Sequence, residues 1–335
     1  MALSISQLWQ LSMTAEPVLV LGIEISGTGQ RAVVADQRGQ VHGRAHAPNG
    51  VADALSALTV AQHLAEEACR QAGLRPERLA GCGVAFGGPV DPQRGTTLWS
   101  HRAAGFEQFP LVALLEERLG IHAVLDNDAR AAALGEAAFG AGRGCQNIVY
   151  VHLASGVGGG IIVDGRPLYG TSSAAGEIGH MVVTHGGPLC SCGKPGHLEA
   201  YASAPAIVRR AREQLVAHPD DPAAGLFRRR VPSLRQLFQH APTSPVLDEV
   251  VRETVQTLGI ALANLITALN PEVVIVGGPV AEVGAAFLGP LQARVRQYSY
   301  PAALGSVRVT TSELGSDAIV LGAAALALAH QAASS

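Results

Sequence analysis

"VLVLGIEISGTGQRAVVADQRGQV", residues 18–41, and "IVYVHLASGVGGGIIVDGRPL", residues 148–168, share one plan: an apolar strand, a Ser-Gly-x-Gly turn, a second strand and an Asp-containing turn. Ser26-Gly27-Thr28-Gly29 in the first is answered by Ser155-Gly156-Val157-Gly158 in the second, and Asp36 by Asp164. Taken singly, each is compatible with an ordinary tight turn. As a repeat, they predict two related α/β lobes, each opening on a loop whose backbone N–H groups can face a phosphate. A cleft between such lobes is the expected place for a ligand.

The rest of the chain fits this plan. Alanine-rich helical stretches at 51–73, 127–140 and 247–269 alternate with short β-branched runs such as "GCGVAF", "HAVLD", "EVVIVGG" and "SVRVT", the signature of an α/β fold. A second glycine turn closes a strand at Gly277-Gly278, and a last helix starts near Ser316. At 335 residues, 48% hydrophobic and 15% charged, the chain can bury two cores. The net charge of −3, with no basic block beyond Arg228-Arg229-Arg230, excludes a broad nucleic-acid footprint. Inspection finds no uninterrupted apolar run of membrane-spanning length, and the opening "MALSISQLWQLSMTAEP" has neither the basic start nor the apolar core of a signal peptide. The expectation is a cytoplasmic protein with no membrane partner. Of five cysteines, Cys69, Cys82 and Cys145 are scattered; Cys190 and Cys192 stand close together and suit metal chemistry better than a disulfide framework.

Two stretches carry reactive chemistry. In "LDNDARAAALGEAAFG", 125–140, Asp126-Asn127-Asp128 stand where a strand gives way to a helix. Helix capping accounts for one of the three. A carboxylate and an amide there also suit adjacent hydroxyls of a polyol, with one carboxylate accepting a proton. In "AAGEIGHMVVTHGGPLCSCGKPGHLEAY", 174–201, His180, Cys190, Cys192 and His197 make up a tetrahedral zinc set, with His185 as a substitute ligand. Four protein ligands leave no open position, so such a zinc is structural. Glu177 and Glu199 are then left to hydrogen-bond a substrate.

These stretches, with "VAFGGPVD" (84–91), "SGVGGGIIVDG" (155–165) and "GEIGH" (176–180), resemble the ROK family (repressor, open reading frame, kinase), glucokinase-like branch, from about Val18 onward. The resemblance implies an actin-like, ribonuclease H-like ATPase fold of two lobes. Residues 1–17 form an extension, 18–120 a small lobe completed by the helix 315–335, and 121–314 a large lobe carrying the zinc loop. It implies Asp128 as catalytic base and Asn127, Glu177, His180 and Glu199 as hydroxyl ligands, with Gly87 and Gly88 close to the sugar. His180 would put one ring nitrogen on zinc and the other on sugar. ATP with magnesium is the implied donor. Glu24, Ser26, Gly27, Thr28 and Gly29 form the first phosphate turn and Ser155, Gly156, Val157 and Gly158 the second, while Gly277, Gly278 and 314–317 face the adenosine.

Departures from the family pattern concentrate in the first turn, which usually reads Asp-x-Gly-Gly-Thr followed by Lys or Asn. Glu24 carries its charge one methylene further, Ser26 adds a side chain where glycine permits close approach, and Gly29 deletes a polar side chain. Arg31 is the nearest replacement charge on the same strand. Arg130 replaces a usual asparagine and His197 a third cysteine. The expected activity is ATP-dependent phosphorylation of a hexose, glucose to glucose 6-phosphate. The alternative is a sugar-binding regulator of weak or no catalysis, without a DNA-binding segment ahead of Val18. A homodimer or homotetramer is the implied assembly.

Overall fold

The computed structural model describes residues 4–13, 16–26, 29–48, 52–100, 103–228 and 230–334; Gly27 and Thr28, assigned to the first phosphate turn, lie outside them. Contacts divide the chain into two units. The first comprises Met1–Tyr150, Gly160–Gly176 and Ser312–Ser335, and the second Val151–Gly159 and Glu177–Thr311.

The strands are β1 (Val20–Ser26), β2 (Gly29–Ala35), β3 (Val41–Ala47), β4 (Cys82–Phe86), β5 (Val90–Asp91), β6 (Thr96–Thr97), β7 (Ala123–Asn127), β8 (Ile148–Leu153), β9 (Val157–Val163), β10 (Arg166–Pro167), β11 (Val273–Gly277) and β12 (Arg308–Thr311). One five-stranded sheet is ordered β3-β2-β1-β4-β7 and the other β10-β9-β8-β11-β12. Putting β8, β9, β10, β11 and β12 in place of β1, β2, β3, β4 and β7 turns one order into the other. The repeat read from the two Ser-Gly-x-Gly turns is therefore a repeat of topology.

In the first unit, β1 pairs antiparallel with β2 and parallel with β4, and β4 runs parallel to β7. The pairing of β4 with β7 carries this unit past residue 120. One face of β1 is apolar: Leu21, Ile23 and Ile25 join Ala57, Leu58, Ala61 and Ala65 of the Ala54–Gln71 helix in one core. The other face lies under the Ala318–Ser334 helix. Gly22 of β1 and Gly83 of β4 are register partners, and a Cβ on them would come within 2.4 Å of the Val320 carbonyl and 1.8 Å of the Ala323 carbonyl. The helix backbone thus rests directly on the strands, a fit that overpacking by one methyl would break.

Gly315–Ala333 is long and apolar enough to cross a membrane, more than the sequence reading allowed, and 67% of that window is buried inside the protein. Its alanines and leucines serve a helix packed between the sheet and the Asp128–Phe139 helix. In the second unit the longest helix, Pro245–Leu269, is capped by the Ser244 hydroxyl, which accepts from the Leu247 N–H at 3.1 Å.

Candidate active site and metal centre

Strand β7 delivers Asp126, Asn127 and Asp128 to the start of a helix, and the three residues divide the work. Asn127 is the cap: its Oδ1 accepts from the backbone N–H of Ala129 at 3.0 Å and of Arg130 at 3.3 Å, while its amide donates to the Gly88 carbonyl at 3.3 Å. Asp126 is buried and accepts from Arg130 Nε at 2.7 Å and from the Tyr169 hydroxyl at 3.1 Å. Burial raises its pKa, and the Arg130 guanidinium opposes that. Asp128 is half-buried, its Oδ1 accepting from the Ala129 N–H at 2.8 Å. A Cβ on Gly87 would lie 3.3 Å from Asp128 Oδ2 and 3.3 Å from the Ser26 Cα. Gly87 therefore lets the Asp128 carboxylate and the Ser26 backbone approach across a bare backbone.

At that turn Glu24 is 2% exposed, with Arg31 Nε at 3.2 Å. Burial pushes its carboxyl up to about 7; Arg31 and Ser26 pull it back, and Asp128 and Asp317 add to the rise. The Ser26 hydroxyl donates to the Gly29 carbonyl at 3.0 Å. Glu24, Ser26, Gly29, Arg31, Arg44 and Asp317 are among the residues lining a cavity of about 400 Å³. Because the folded-state pKa is raised, Glu24 favours the fold below its ordinary value of 4.5, and that contribution is lost as pH rises through about 7. Glu24→Gln is accordingly expected to melt above the wild type at pH 8 and close to it at pH 5, as thermal unfolding at the two pH values will show.

Arg130 also donates to the carbonyl oxygens of Ser173 at 2.8 Å and Ala175 at 3.4 Å, and its guanidinium lies 5.1 Å from the Tyr169 ring centre. The replacement of an asparagine here is thus tied to a buried ion pair. The sequence reading missed Glu136, a fully buried carboxylate that accepts from the N–H of Ala141 at 2.8 Å, the N–H of Leu314 at 3.1 Å and the Ser312 hydroxyl. It anchors the 314–317 segment to the first unit. An acid within the alanine-rich body of the helix, beyond its polar first turn, was the available signal.

In the second unit the Ser155–Gly158 turn is closed by the Ala154 N–H donating to the Gly156 carbonyl at 2.9 Å. The Val157 N–H donates to Glu199 Oε2 at 3.2 Å. Glu199 Oε1 accepts from Ser191 Oγ at 2.5 Å and Cys190 Sγ at 3.4 Å, so this carboxylate ties the turn to the cysteine loop. Gly278, at φ 85°, takes a backbone conformation that favours glycine, and a Cβ there would fall 2.5 Å from the Leu153 carbonyl. The Gly277-Gly278 turn therefore packs against the strand that leads into Ser155.

His180, Cys190, Cys192 and His197 converge, with one donor atom from each lying within 4.8 Å of all the others. His180 Nδ1 is 3.6 Å from Cys190 Sγ and His197 Nδ1 is 3.2 Å from Cys192 Sγ. Tetrahedral zinc with bonds of about 2.1 Å to nitrogen and 2.3 Å to sulfur needs ligand atoms about 3.4–3.8 Å apart; the His180–Cys190 separation meets this and the His197–Cys192 separation is a little shorter, so small side-chain shifts would close the set on that ion. Gly193 and Gly196, at φ 80° and 74°, turn the loop back on itself. Burial pushes the Cys190 thiol up to about 11. The other ring nitrogen of His180 lies 4.0 Å from Glu177 Oε2. His185 is not one of the converging residues.

A model of the ROK family matches residues 20–330. The chain is 34% identical to a glucokinase of Halalkalibacterium halodurans over 308 residues, 90% of this chain and 92% of that one. It is 36% identical to a glucokinase of Thermotoga maritima over 256 residues, 73% of this chain and 78% of the relative. The crystal structure of a ROK family glucokinase from Streptomyces griseus in complex with glucose and AMPPNP superposes with a TM-score of 0.78 at 31% identity, covering 92% of this chain and 98% of that one.

Proposed function

This chain belongs to the ROK family, and from that premise we propose that it transfers the γ-phosphoryl group of ATP to a hexose hydroxyl, converting glucose to glucose 6-phosphate. The observation that carries the reading is the division of labour at the head of the Asp128–Phe139 helix. Asn127 caps the helix and Asp126 neutralises Arg130, while Asp128 lies against Gly87 beside the first phosphate turn. Helix stability does not need a third polar residue at this place, and a proton acceptor does.

In this reading the sugar hydroxyl forms its bond to the γ-phosphorus as the bond to the β–γ bridging oxygen of ATP breaks. Asp128 takes the hydroxyl proton, and ADP leaves with the bridging oxygen. Asn127, Glu177, His180 and Glu199 hold the other hydroxyls, with Gly87 and Gly88 giving backbone access. Ser26, Gly29 and 155–158 receive the phosphates, and Gly277-Gly278 the adenosine. Glu24 would hold magnesium or its waters, and the ion would neutralise phosphate charge. His180, Cys190, Cys192 and His197 would hold a structural zinc that fixes the orientation of the His180 ring. Metal analysis of purified protein is expected to find about one zinc per chain; a content far below that removes the centre.

The test of the whole reading is ADP release with ATP and magnesium across a panel of hexoses and hexosamines. Sugar-dependent turnover supports the kinase. Its absence, with sugar binding still visible by calorimetry, makes the altered turn at Glu24, Ser26 and Gly29 the mark of a sugar-binding regulator.

A further inference from the structure

The cavity beside the first phosphate turn contains an alternating row of charges. Across the β1–β2 ladder Arg31 stands directly opposite Glu24, and across β2–β3 it stands opposite His46. Its Nε is 3.2 Å from Glu24 Oε2 and its Nη1 is 3.7 Å from Asp317 Oδ1; the same nitrogen donates to the Ser316 carbonyl. The other oxygen of Asp317 takes Arg44 Nη2 at 3.3 Å. Glu24 Oε2 lies at ion-pair distance from Arg31 yet accepts no hydrogen bond, so a buried oxygen lacks a donor at the cavity wall. Two residues before Arg31 on the same side of β2, Gly29 contributes no side chain to this wall.

We propose that Arg31 is a positioning residue for the phosphoryl donor, a nucleoside triphosphate. One guanidinium holds the Glu24 carboxylate and the Ser316–Asp317 segment in fixed relation, and so couples the phosphate turn to the start of the Ala318–Ser334 helix. This rests on the kinase reading above. On the Asp317 arm the magnitudes favour positioning over stability: Arg31 is 33% exposed and Asp317 30%, and an ion pair that open to water adds little to folding. The Glu24 arm carries stability as well, since Glu24 is 2% exposed. Phosphoryl transfer, by contrast, is sensitive to displacements well below an ångström.

Arg31→Gln is expected to raise the KM for ATP by about tenfold and to weaken magnesium–ADP binding, read by calorimetry, by a similar factor, because the carboxylate loses its fixed direction. Sugar affinity stays within about twofold, while the melting temperature falls because Glu24, 2% exposed, loses its charged partner. Arg31→Lys, which keeps the charge and loses the fork, recovers part of the loss. Asp317→Asn is expected to cost less in the Arg31→Gln background than alone, the non-additivity of residues acting as a unit. Unchanged ATP KM and ADP affinity in Arg31→Gln overturn the proposal, and so do additive effects with Asp317→Asn or a parallel loss of sugar affinity. A wild type with no sugar-dependent turnover sinks the kinase reading alone, because the ADP-binding arm still reads Arg31. A wild type that also binds no magnesium–ADP sinks both.

Discussion

Asp128→Asn is expected to bind sugar with wild-type affinity and to lose about two to four orders of magnitude in kcat. The substitution is nearly isosteric. The amide oxygen can still accept from the Ala129 N–H, Asn127 still caps the helix, and the Asp126–Arg130 pair is untouched. Only the capacity to take a proton is removed. Its buried neighbour should behave in the opposite way: Asp126→Asn leaves the Arg130 charge without its partner in a site where both side chains are 4% exposed. The expected cost is about 3–5 kcal/mol of folding stability, with sugar chemistry lost only as a consequence. Steady-state kinetics, calorimetry and thermal melting of the two variants separate these outcomes. Unchanged turnover in Asp128→Asn would place the base elsewhere.

The second large effect concerns the metal centre. Cys190→Ser removes one of two sulfur donors from a set whose four donor atoms lie within 4.8 Å of one another, and it also removes a contact to Glu199. Folding and metal binding are linked. The variant is expected to purify without zinc, to melt about 10 °C lower, the shift that a loss of about 3–4 kcal/mol brings in a unit of this size, and to bind sugar about tenfold or more weakly as the His180 ring is released. Wild type stripped with a chelator should show the same losses and regain sugar affinity when zinc is returned. A variant that is folded, zinc-free and fully active would contradict the assignment.

What the sequence made legible was local. The two hairpins announce themselves through continuous apolar runs broken by glycine at matched places, and they lead to the shared order of the two sheets. The convergence of His180, Cys190, Cys192 and His197 is legible because the four fall within a short, glycine-rich span, 180–197. Arg130 read only as a departure because, apart from Asp126 four residues back, its partners Tyr169, Ser173 and Ala175 come from a segment far along the chain. Glu136 carried no assignment for the same reason, since Ser312 and Leu314 complete it. The apolar length of Gly315–Ala333 makes sense only against the two strand glycines that receive it. Glu199 was legible as a polar residue beside the cysteine loop, but its hold on the Val157 N–H depends on how that loop folds back.

The seating of the Ala318–Ser334 helix on Gly22 and Gly83 has a temporal side. Synthesis runs from N- to C-terminus, so β1 and β4 leave the ribosome long before the residues that cover them, and the whole of the second unit is made in between. Until then the nascent first sheet presents one uncovered face. Such late, long-range closure is slow and exposes folding intermediates to association. The molecule therefore completes the first sheet's cover last, and truncation near residue 315 should leave an aggregating chain rather than a smaller working one.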